Sequence, residues 1–402
     1  MRIFNVSAEL APYSSATGLG AEVAKLLAAL AKRGHEVRAV APLLADTDPS
    51  AHSLARRLKP IAVSLDGREV RFTRFEGRTA SGIDVDLLQP AEALAPRERF
   101  EAAFNRAALE LVRAADGTEA ACISWDRACA PVAALDAAAS EPTGASHYVA
   151  IRTDAGGFDD WAGPPAARRV ILMRPTGGEP GREIGASSLA AMLEDGRAFS
   201  LSPAVDDHPP LGATDRASAK AAIQAGCGLP VRADVPLIAF AALPDGALID
   251  ALGAYLRGDT QAIAIGAGAG GDTALDALAD RYPDRLTVLP DGVSADSLLA
   301  GADFCAALTD PSLAARAMSF GAVPITIGAH DGGAVDLEPS LASGTSIIAD
   351  GASAAATVEA LGRAVSAFRL GKPFGALATR IQGAATTWPV CAERFEQILL
   401  LP

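Results

Sequence analysis

Two glycines, Gly18 and Gly20, sit in a loop that leaves one apolar run and enters another of helical period. Backbone N–H groups gathered at such a turn can receive a phosphate or a sugar hydroxyl; the same glycines can also do no more than tighten the turn. A second run, Gly266-Ala267-Gly268-Ala269-Gly270-Gly271, has the outward form of a dinucleotide-binding turn. Asp159-Asp160, in a Gly-rich stretch, reads as a solvated pair rather than an acid–base dyad. The five histidines (His35, His52, His147, His208, His330) lack the spacing of metal ligands. No Ser-centred nucleophile elbow is present. No metal and no cofactor are expected.

These residues need elements to hold them. Arg2–Ser7 has strand length and apolar character. Leu19, Val23, Leu26, Leu27 and Leu30 recur at helical spacing, Gly34 stops the helix, and a strand restarts over Glu36–Pro42. Further strands are predicted at 83–88, 121–124, 147–151 and 170–173, helices at 97–114 and 128–139, and a hairpin over Ile61–Phe75 turning at Asp66-Gly67. Stretches 154–167 and 203–214 read as loops, and a helix at 217–225 follows. The alternation then restarts, with strands at 235–240, 262–265, 286–289, 304–307, 323–327 and 346–349 separated by helices. Such alternation predicts α/β architecture: two doubly wound parallel sheets, whose ligands bind beyond the carboxyl ends of the strands.

A chain of 402 residues, half of them apolar, exceeds one ordinary core. Its net charge of −13 disfavours nucleic acid and anionic membrane surfaces as partners and is indifferent to a neutral ligand. No apolar run reaches membrane-spanning length. Five irregularly spaced cysteines and an N-terminus that goes directly into a strand lead to an expectation of reduced thiols and a cytoplasmic location.

The opening, MRIFNVSAELAPYSSATGLG followed by AKRGHEVRAVAP, resembles the N-terminus of bacterial glycogen synthases and plant starch synthases. Glu9, Ala11, Pro12, Gly18, Leu19, Gly20 and the run Ala31 to Arg38 fall in step with that family without a gap. Further matches follow in order. Ile123 to Pro131 is similar to "HDWQTALAP", with Trp125 on its tryptophan. Arg182-Glu183-Ile184 fits "AREI", Ser202 to His208 fits "NPATDPHLP", Ala300 to Phe304 fits "AGADF", and Trp388 to Phe395 fits "SWDRAAERY". The resemblance implies the two-domain GT-B fold. It also implies transfer of glucose, with retention, from ADP- or UDP-glucose to an α-1,4-glucan. The implied layout is an acceptor-side domain at 1–205, a linker at 206–234, a nucleotide-sugar-side domain at 235–375, and C-terminal helices at 376–402 that cross back to the first domain.

The departures fall where the chemistry would be. The family's lysine is Ser15, the first glycine of its pair is Thr17, and its following aspartate is Ala21. Retaining transfer needs cations on the diphosphate as leaving-group charge develops. The family's Arg and Lys in "SRLTPQKG" have no counterpart in Ala241-Ala242-Leu243-Pro244-Asp245-Gly246. The family histidine aligns with Arg152, or alternatively with His147. Its "FEPCGLTQ" glutamate falls on Leu308 by ungapped counting, or on Asp310 with a two-residue deletion; Asp310 also suits an ordinary helix N-cap. Gly332-Gly333-Ala334-Val335-Asp336 keeps the "GGLAD" spacing, and Gly344-Thr345 keeps part of "GTG". The resemblance thus implies ligand-binding roles for Ser15, Gly18, Gly20, Gly332, Gly333 and Asp336, toward a nucleotide sugar or glucan. It leaves no credible catalytic residue, since Arg152 and Asp310 occupy family positions. The expectation is a synthase-like protein of α-glucan metabolism, impaired in catalysis, that acts by binding a glucan, an ADP-sugar or a protein partner. The alternatives are a working ADP-glucose-dependent retaining glucosyltransferase and an interaction scaffold without a sugar ligand.

Overall fold

The computed structural model describes residues 1–14, 18–44, 47–115, 120–152, 166–173, 191–192, 194–202, 204–206, 213–240, 246–264, 273–289, 292–308, 310–328 and 334–402. The Gly266–Gly271 run, Asp159-Asp160, the Arg182–Ile184 match, Ser15, the 241–245 loop, Gly332 and Gly333 lie outside these residues.

Contacts divide the chain into two compact units. One holds the chain up to Leu201 together with Trp388–Pro402, and the other holds Ser202–Thr387. Along the chain the units change at 201/202 and at 387/388. The helix Lys372–Ala384 (α11) stays in the second unit, where it packs on the helix Pro311–Ser319 (α9). Its face of Phe374, Leu377, Ala378 and Ile381 is buried there.

The first unit is built on a ten-stranded sheet. Its parallel part runs, in spatial order, Ala198–Leu201 (β10), Arg169–Met173 (β9), Ser146–Arg152 (β8), Ala121–Trp125 (β7), Arg2–Val6 (β1), Glu36–Pro42 (β2) and Asp84–Pro90 (β6). Arg68–Arg78 (β5) then pairs antiparallel with β6 and carries Ala55–Arg56 (β3) and Ile61–Leu65 (β4) at its edge. The β4–β5 hairpin closes through Asp66 (φ 53°) and Gly67 (φ 73°), with Leu65 opposite Arg68. Two positive φ values in a row define the turn that matches strand twist, which is why Asp-Gly marks it in the sequence.

The helix Leu19–Lys32 (α1) buries Leu19, Val23, Leu26, Leu27 and Leu30, the predicted stripe. Arg97–Ala114 (α2) covers one sheet face with Phe104, Ala107, Ala108 and Leu111, packed against Phe4, Val40, Phe72 and Leu88. The expected single helix at 128–139 is two pieces, Asp126–Cys129 (α3) and Pro131–Ala137 (α4). Pro131 has no N–H to continue the first and opens the second at its first turn.

In the second unit the helix Ala213–Gly226 (α5) leads into a six-stranded sheet. Its order is Leu286–Val288 (β13), Gln261–Ala264 (β12), Leu237–Phe240 (β11), Phe304–Leu308 (β14), Val323–Ile327 (β15) and Ile347–Ala349 (β16), with every pair parallel. Gly246–Tyr255 (α6), Thr273–Arg281 (α7), Ala295–Gly301 (α8), α9 and Ala354–Phe368 (α10) alternate with the strands. Apolar side chains fill both faces. One side gathers Phe240, Leu252, Phe304, Ile325 and Leu361, and the other gathers Leu237, Ile263, Leu298, Cys305 and Ala317.

The last helix, Trp388–Leu400 (α12), packs on α1. Tyr148 Oη donates to Leu399 O at 2.9 Å, and Arg169 donates to Ile398 O (3.3 Å) and Pro402 O (2.6 Å). These bonds satisfy carbonyls that a helix C-terminus leaves open. Arg33, the C-cap of α1, pairs with Glu396, whose carboxyl is held below its ordinary value chiefly by that bond.

Candidate functional site

At the carboxyl end of β1 the chain turns tightly before α1. Ser7 N donates to Val40 O (3.1 Å), Ser14 N to Leu10 O (2.9 Å), and Leu10 N to Ser14 Oγ (2.9 Å). Ala11 N reaches forward to Gly20 O at 3.0 Å. Gly18, with φ 80°, is the N-cap of α1 and takes the left-handed conformation that glycine enters freely. Gly20 is required for a different reason. A Cβ there would stand 2.3 Å from Ser14 O and 3.1 Å from both Leu10 N and Ala11 N. The two glycines therefore set the path of the loop around its own backbone.

The next carboxyl ends in the sheet belong to β7 and β8. Trp125, at the end of β7, is fully buried and donates from Nε1 to Asn5 Oδ1 at 2.7 Å; Asn5 Nδ2 in turn reaches Ser7 Oγ at 3.3 Å. The tryptophan of the matched motif thus pins β7 to β1 where both strands finish. Arg152 closes β8, in register with Met173. His147 lies at the other end of that strand, about 16 Å away at 3.3 Å per residue. Its Nε2 is 2.8 Å from Asp136 Oδ2. Asp136 also accepts from Thr143 N (3.0 Å) and Thr143 Oγ1 (2.7 Å). Burial works against ionisation of Asp136, but the Thr143 and His147 bonds outweigh it and hold the carboxyl below its ordinary value. His147 accordingly has no place at the carboxyl edge.

In the second unit, β14 ends in an irregular register between Ala306 and Leu308, and Leu308 takes φ 43°. Asp310 follows as the N-cap of α9, with Oδ1 accepting from Leu313 N at 3.0 Å. One oxygen of the only carboxylate available at this family position is therefore committed to holding a helix start.

Asp336 sits in a short crosslinked loop. Its Oδ1 accepts from Ile348 N (2.9 Å) and from Arg363 on α10 (2.6 Å). Val335 N donates to Thr345 Oγ1 at 2.9 Å, and Leu337 N to Ser346 O at 2.8 Å. Gly344 (φ 87°) allows this approach, because a Cβ there would lie 2.2 Å from Asp336 O. Arg380 on α11 grips the far side through Leu341 O, Ala342 O and Gly344 O at 2.8–3.1 Å. The described part of the "GGLAD" match, Ala334 to Asp336, and the "GTG" remnant Gly344-Thr345 are thus two sides of one clamped turn. The two arginines that clamp it were invisible in the sequence, since a lone Arg on an amphipathic helix carries no positional signal.

Among the described residues no group of three or more His, Cys, Asp or Glu side chains could hold a metal ion. No helix among them is long and apolar enough to cross a membrane.

Comparison with known proteins agrees with this fold. Residues 2–145 match the family described as starch synthase catalytic domain. A 68-residue stretch is 44% identical to a glycogen synthase of Anaeromyxobacter sp. (strain Fw109-5) and covers 17% of this chain and 14% of that protein's length. Among solved structures, the catalytic domain of starch synthase IV from Arabidopsis thaliana, bound to ADP and acarbose, superposes with a TM-score of 0.74. It is 17% identical over 99% of this chain and 98% of its own. A trehalose-6-phosphate protein from E. coli, bound with UDP-2-fluoro glucose, gives a TM-score of 0.55 at 12% identity over the whole of both chains. The fold is that of the GT-B glycosyltransferases.

Proposed function

We propose that this chain, whose residues 2–145 match the starch synthase catalytic domain and which carries the GT-B fold, is a glycogen or starch synthase-like protein that binds an α-glucan or an ADP-sugar and is impaired in glucosyl transfer. The observation that carries this reading is the coincidence of substitutions at every position where transfer needs a particular side chain. Ser15 stands for a lysine, Arg152 for a histidine, and Leu308 or Asp310 for a glutamate, and the loop 241–246 offers no cation to a diphosphate. Asp310, the remaining carboxylate, caps α9 instead. Each charge-assisted hydrogen bond lost weakens transition-state binding by about 1.5–3 kcal/mol, so two lost cations alone reduce turnover by about two orders of magnitude or more.

In the positions that retain family residues, backbone geometry rather than side-chain chemistry is kept. Gly18 and Gly20 support ligand binding in this reading because they shape a loop at the carboxyl edge of the first sheet, where ligands of doubly wound folds bind; Asp336, bridged to Ser346 just before β16, is carried over by resemblance. Gly332, Gly333 and Ser15 join them by resemblance.

Incorporation of radiolabelled glucose from ADP-glucose or UDP-glucose into glycogen tests the reading. No transfer is expected. Turnover within about a hundredfold of an ordinary 10 s⁻¹ enzyme would establish the working glucosyltransferase instead. Calorimetry with ADP, ADP-glucose and maltooligosaccharides, together with glycogen co-sedimentation, tests the binding half. If none binds at millimolar concentration, the chain is an interaction scaffold. Ser15→Lys, which restores the family cation, should raise ADP affinity about tenfold while transfer stays absent.

A further inference from the structure

The amino edge of the first sheet carries a feature that the carboxyl-edge reading does not use. Three adjacent parallel strands each begin with a basic side chain. His147 is the second residue of β8, Arg168 immediately precedes β9, and Arg197 immediately precedes β10. All three border one open hollow of about 390 Å³. Its remaining wall is small, made by residues such as Ala133, Ala137, Pro142 and Gly144. The hollow lies at the opposite end of β8 from Arg152, about 20 Å along the strand direction.

The donors at this hollow outnumber the acceptors that the protein supplies. A guanidinium carries five N–H donors. Arg168 spends one on Ser146 Oγ (3.3 Å) and one on Leu401 O (3.3 Å). Arg197 spends one on Ala167 O (3.2 Å) and one on exposed Asp195 at 3.4 Å. The single carboxylate in the wall, Asp136, is engaged on both oxygens by Thr143 and His147. His147 is 7% exposed, and its Nδ1 has no hydrogen-bond partner. In a chain of net charge −13, two guanidinium groups with unspent N–H border this hollow, offset by Asp136 and Asp195.

We propose that this hollow is a binding site for a small phosphate monoester, such as a phosphorylated polyol or hexose. Two arginine forks converging from neighbouring strands suit a phosphate. Its three terminal oxygens accept up to six hydrogen bonds, matching the three uncommitted donors on each guanidinium, whereas a carboxylate is satisfied by one fork. A body of hexose size fits the volume beside the small wall. Arg168 and Arg169 also hold the end of α12, so the ligand would sit beside the seat of the C-terminal helix.

Calorimetric titration of the full chain with glycerol 3-phosphate, inorganic phosphate, acetate and glycerol tests the site. Glycerol 3-phosphate is expected to bind with Kd near or below about 1 mM, phosphate somewhat less tightly, and glycerol not at all. Arg168→Ala and Arg197→Ala should each weaken binding about tenfold. Ala137→Glu, which places a carboxylate on the exposed rim and touches neither arginine, should abolish it without lowering the melting temperature. Binding to the wild type should weaken with added salt, and its margin over the variants should shrink, since the hollow is open to solvent. Three results would overturn the proposal. They are no binding up to 10 mM, about, a generous ceiling for such a site; acetate binding as tightly as the monoester; or equal binding by wild type and all three variants, which would put the phosphate elsewhere on the molecule.

Discussion

Replacing Gly20 by alanine separates a glycine kept for contact from one kept for turn conformation. The added Cβ would meet Ser14 O at 2.3 Å and two backbone nitrogens, Leu10 N and Ala11 N, at 3.1 Å. All three are main-chain atoms, so no side chain can swing aside. The loop or the start of α1 must shift by about 1 Å to reach ordinary contact distance. That shift loads the Ala11 N–Gly20 O bond (3.0 Å) and the Leu10–Ser14 pair. Overpacking costs about 1–3 kcal/mol. A weakened hydrogen bond adds about 0.5–1.5 kcal/mol. Alanine's better helix propensity returns about 0.8–1 kcal/mol. The net loss is about 1–3 kcal/mol, or roughly 2–10 °C for a unit of this size. Gly362 is the control. It lies on the exposed side of α10, has nothing within 4 Å of its would-be Cβ and no unusual φ. Gly362→Ala should therefore gain up to about 1 kcal/mol. Thermal and urea unfolding of the two variants, followed with probes in each unit, gives the comparison. A Gly20→Ala protein as stable as wild type would show that the loop yields freely, and the contact argument would fail.

Three further outcomes follow from buried groups. Lys220 donates to Asp303 (2.6 Å) and Val235 O (2.5 Å) and lies 4.6 Å from the Phe368 ring centroid; Lys220→Met should destabilise the second unit by about 3 kcal/mol, the lower end because Arg216 also feels Asp303, and a denaturation midpoint unchanged from wild type would refute this. All five cysteines are buried, with the Cys122 and Cys391 thiols pushed up to about 12 by burial, so a thiol reagent at neutral pH should label the native chain only as it unfolds; rapid labelling of any of the five would contradict the packing. Asp136 is held below its ordinary value in the folded chain, so its stabilisation is full above the unfolded pKa of about 3.9 and is lost as pH falls through the folded value. Asp136→Asn should lower stability at neutral pH and flatten the acid limb of unfolding, whereas an acid limb identical to wild type would sink the assignment.

Much of the fold was legible because its signals were local. The Asp66-Gly67 turn, the α1 stripe and the β15 strand at Val323–Ile327 fall where their residues place them. One miss arose where the deciding partner is distant. β10 reads Ala198-Phe199-Ser200-Leu201, too short and mixed to announce a strand, and is one because β9 pairs with it. The 128–139 helix broke at Pro131, where local chemistry overrode an alanine-rich pattern. Residues near the candidate site were legible as types but not as partners. Asp310 reads from the sequence more as an ordinary helix cap than as a displaced catalytic carboxylate, and its Oδ1 accepts from Leu313 N at 3.0 Å. The Arg363 and Arg380 clamps depend on partners 27 and 36 residues away, at Asp336 and Gly344.

The resemblance to the synthase family divides along a physical line. Positions that keep the family residue include those that the backbone itself requires. Gly18 needs a left-handed φ, Gly20 and Gly344 need the absence of a Cβ against a main-chain oxygen, and Trp125 ties two strand ends through one indole N–H. Positions that depart, at Ser15, Arg152 and Leu308 or Asp310, are those where only a particular charge or proton donor would serve transfer. Loss of a residue of the first kind costs folding, whatever the chain does. Loss of one of the second kind costs only chemistry. A chain that must transfer glucose needs both kinds, and a chain that must only hold a ligand needs the first. The pattern favours the binding reading over the enzymatic one, and restoring the departed side chains one at a time should therefore change ligand affinity before it restores any turnover.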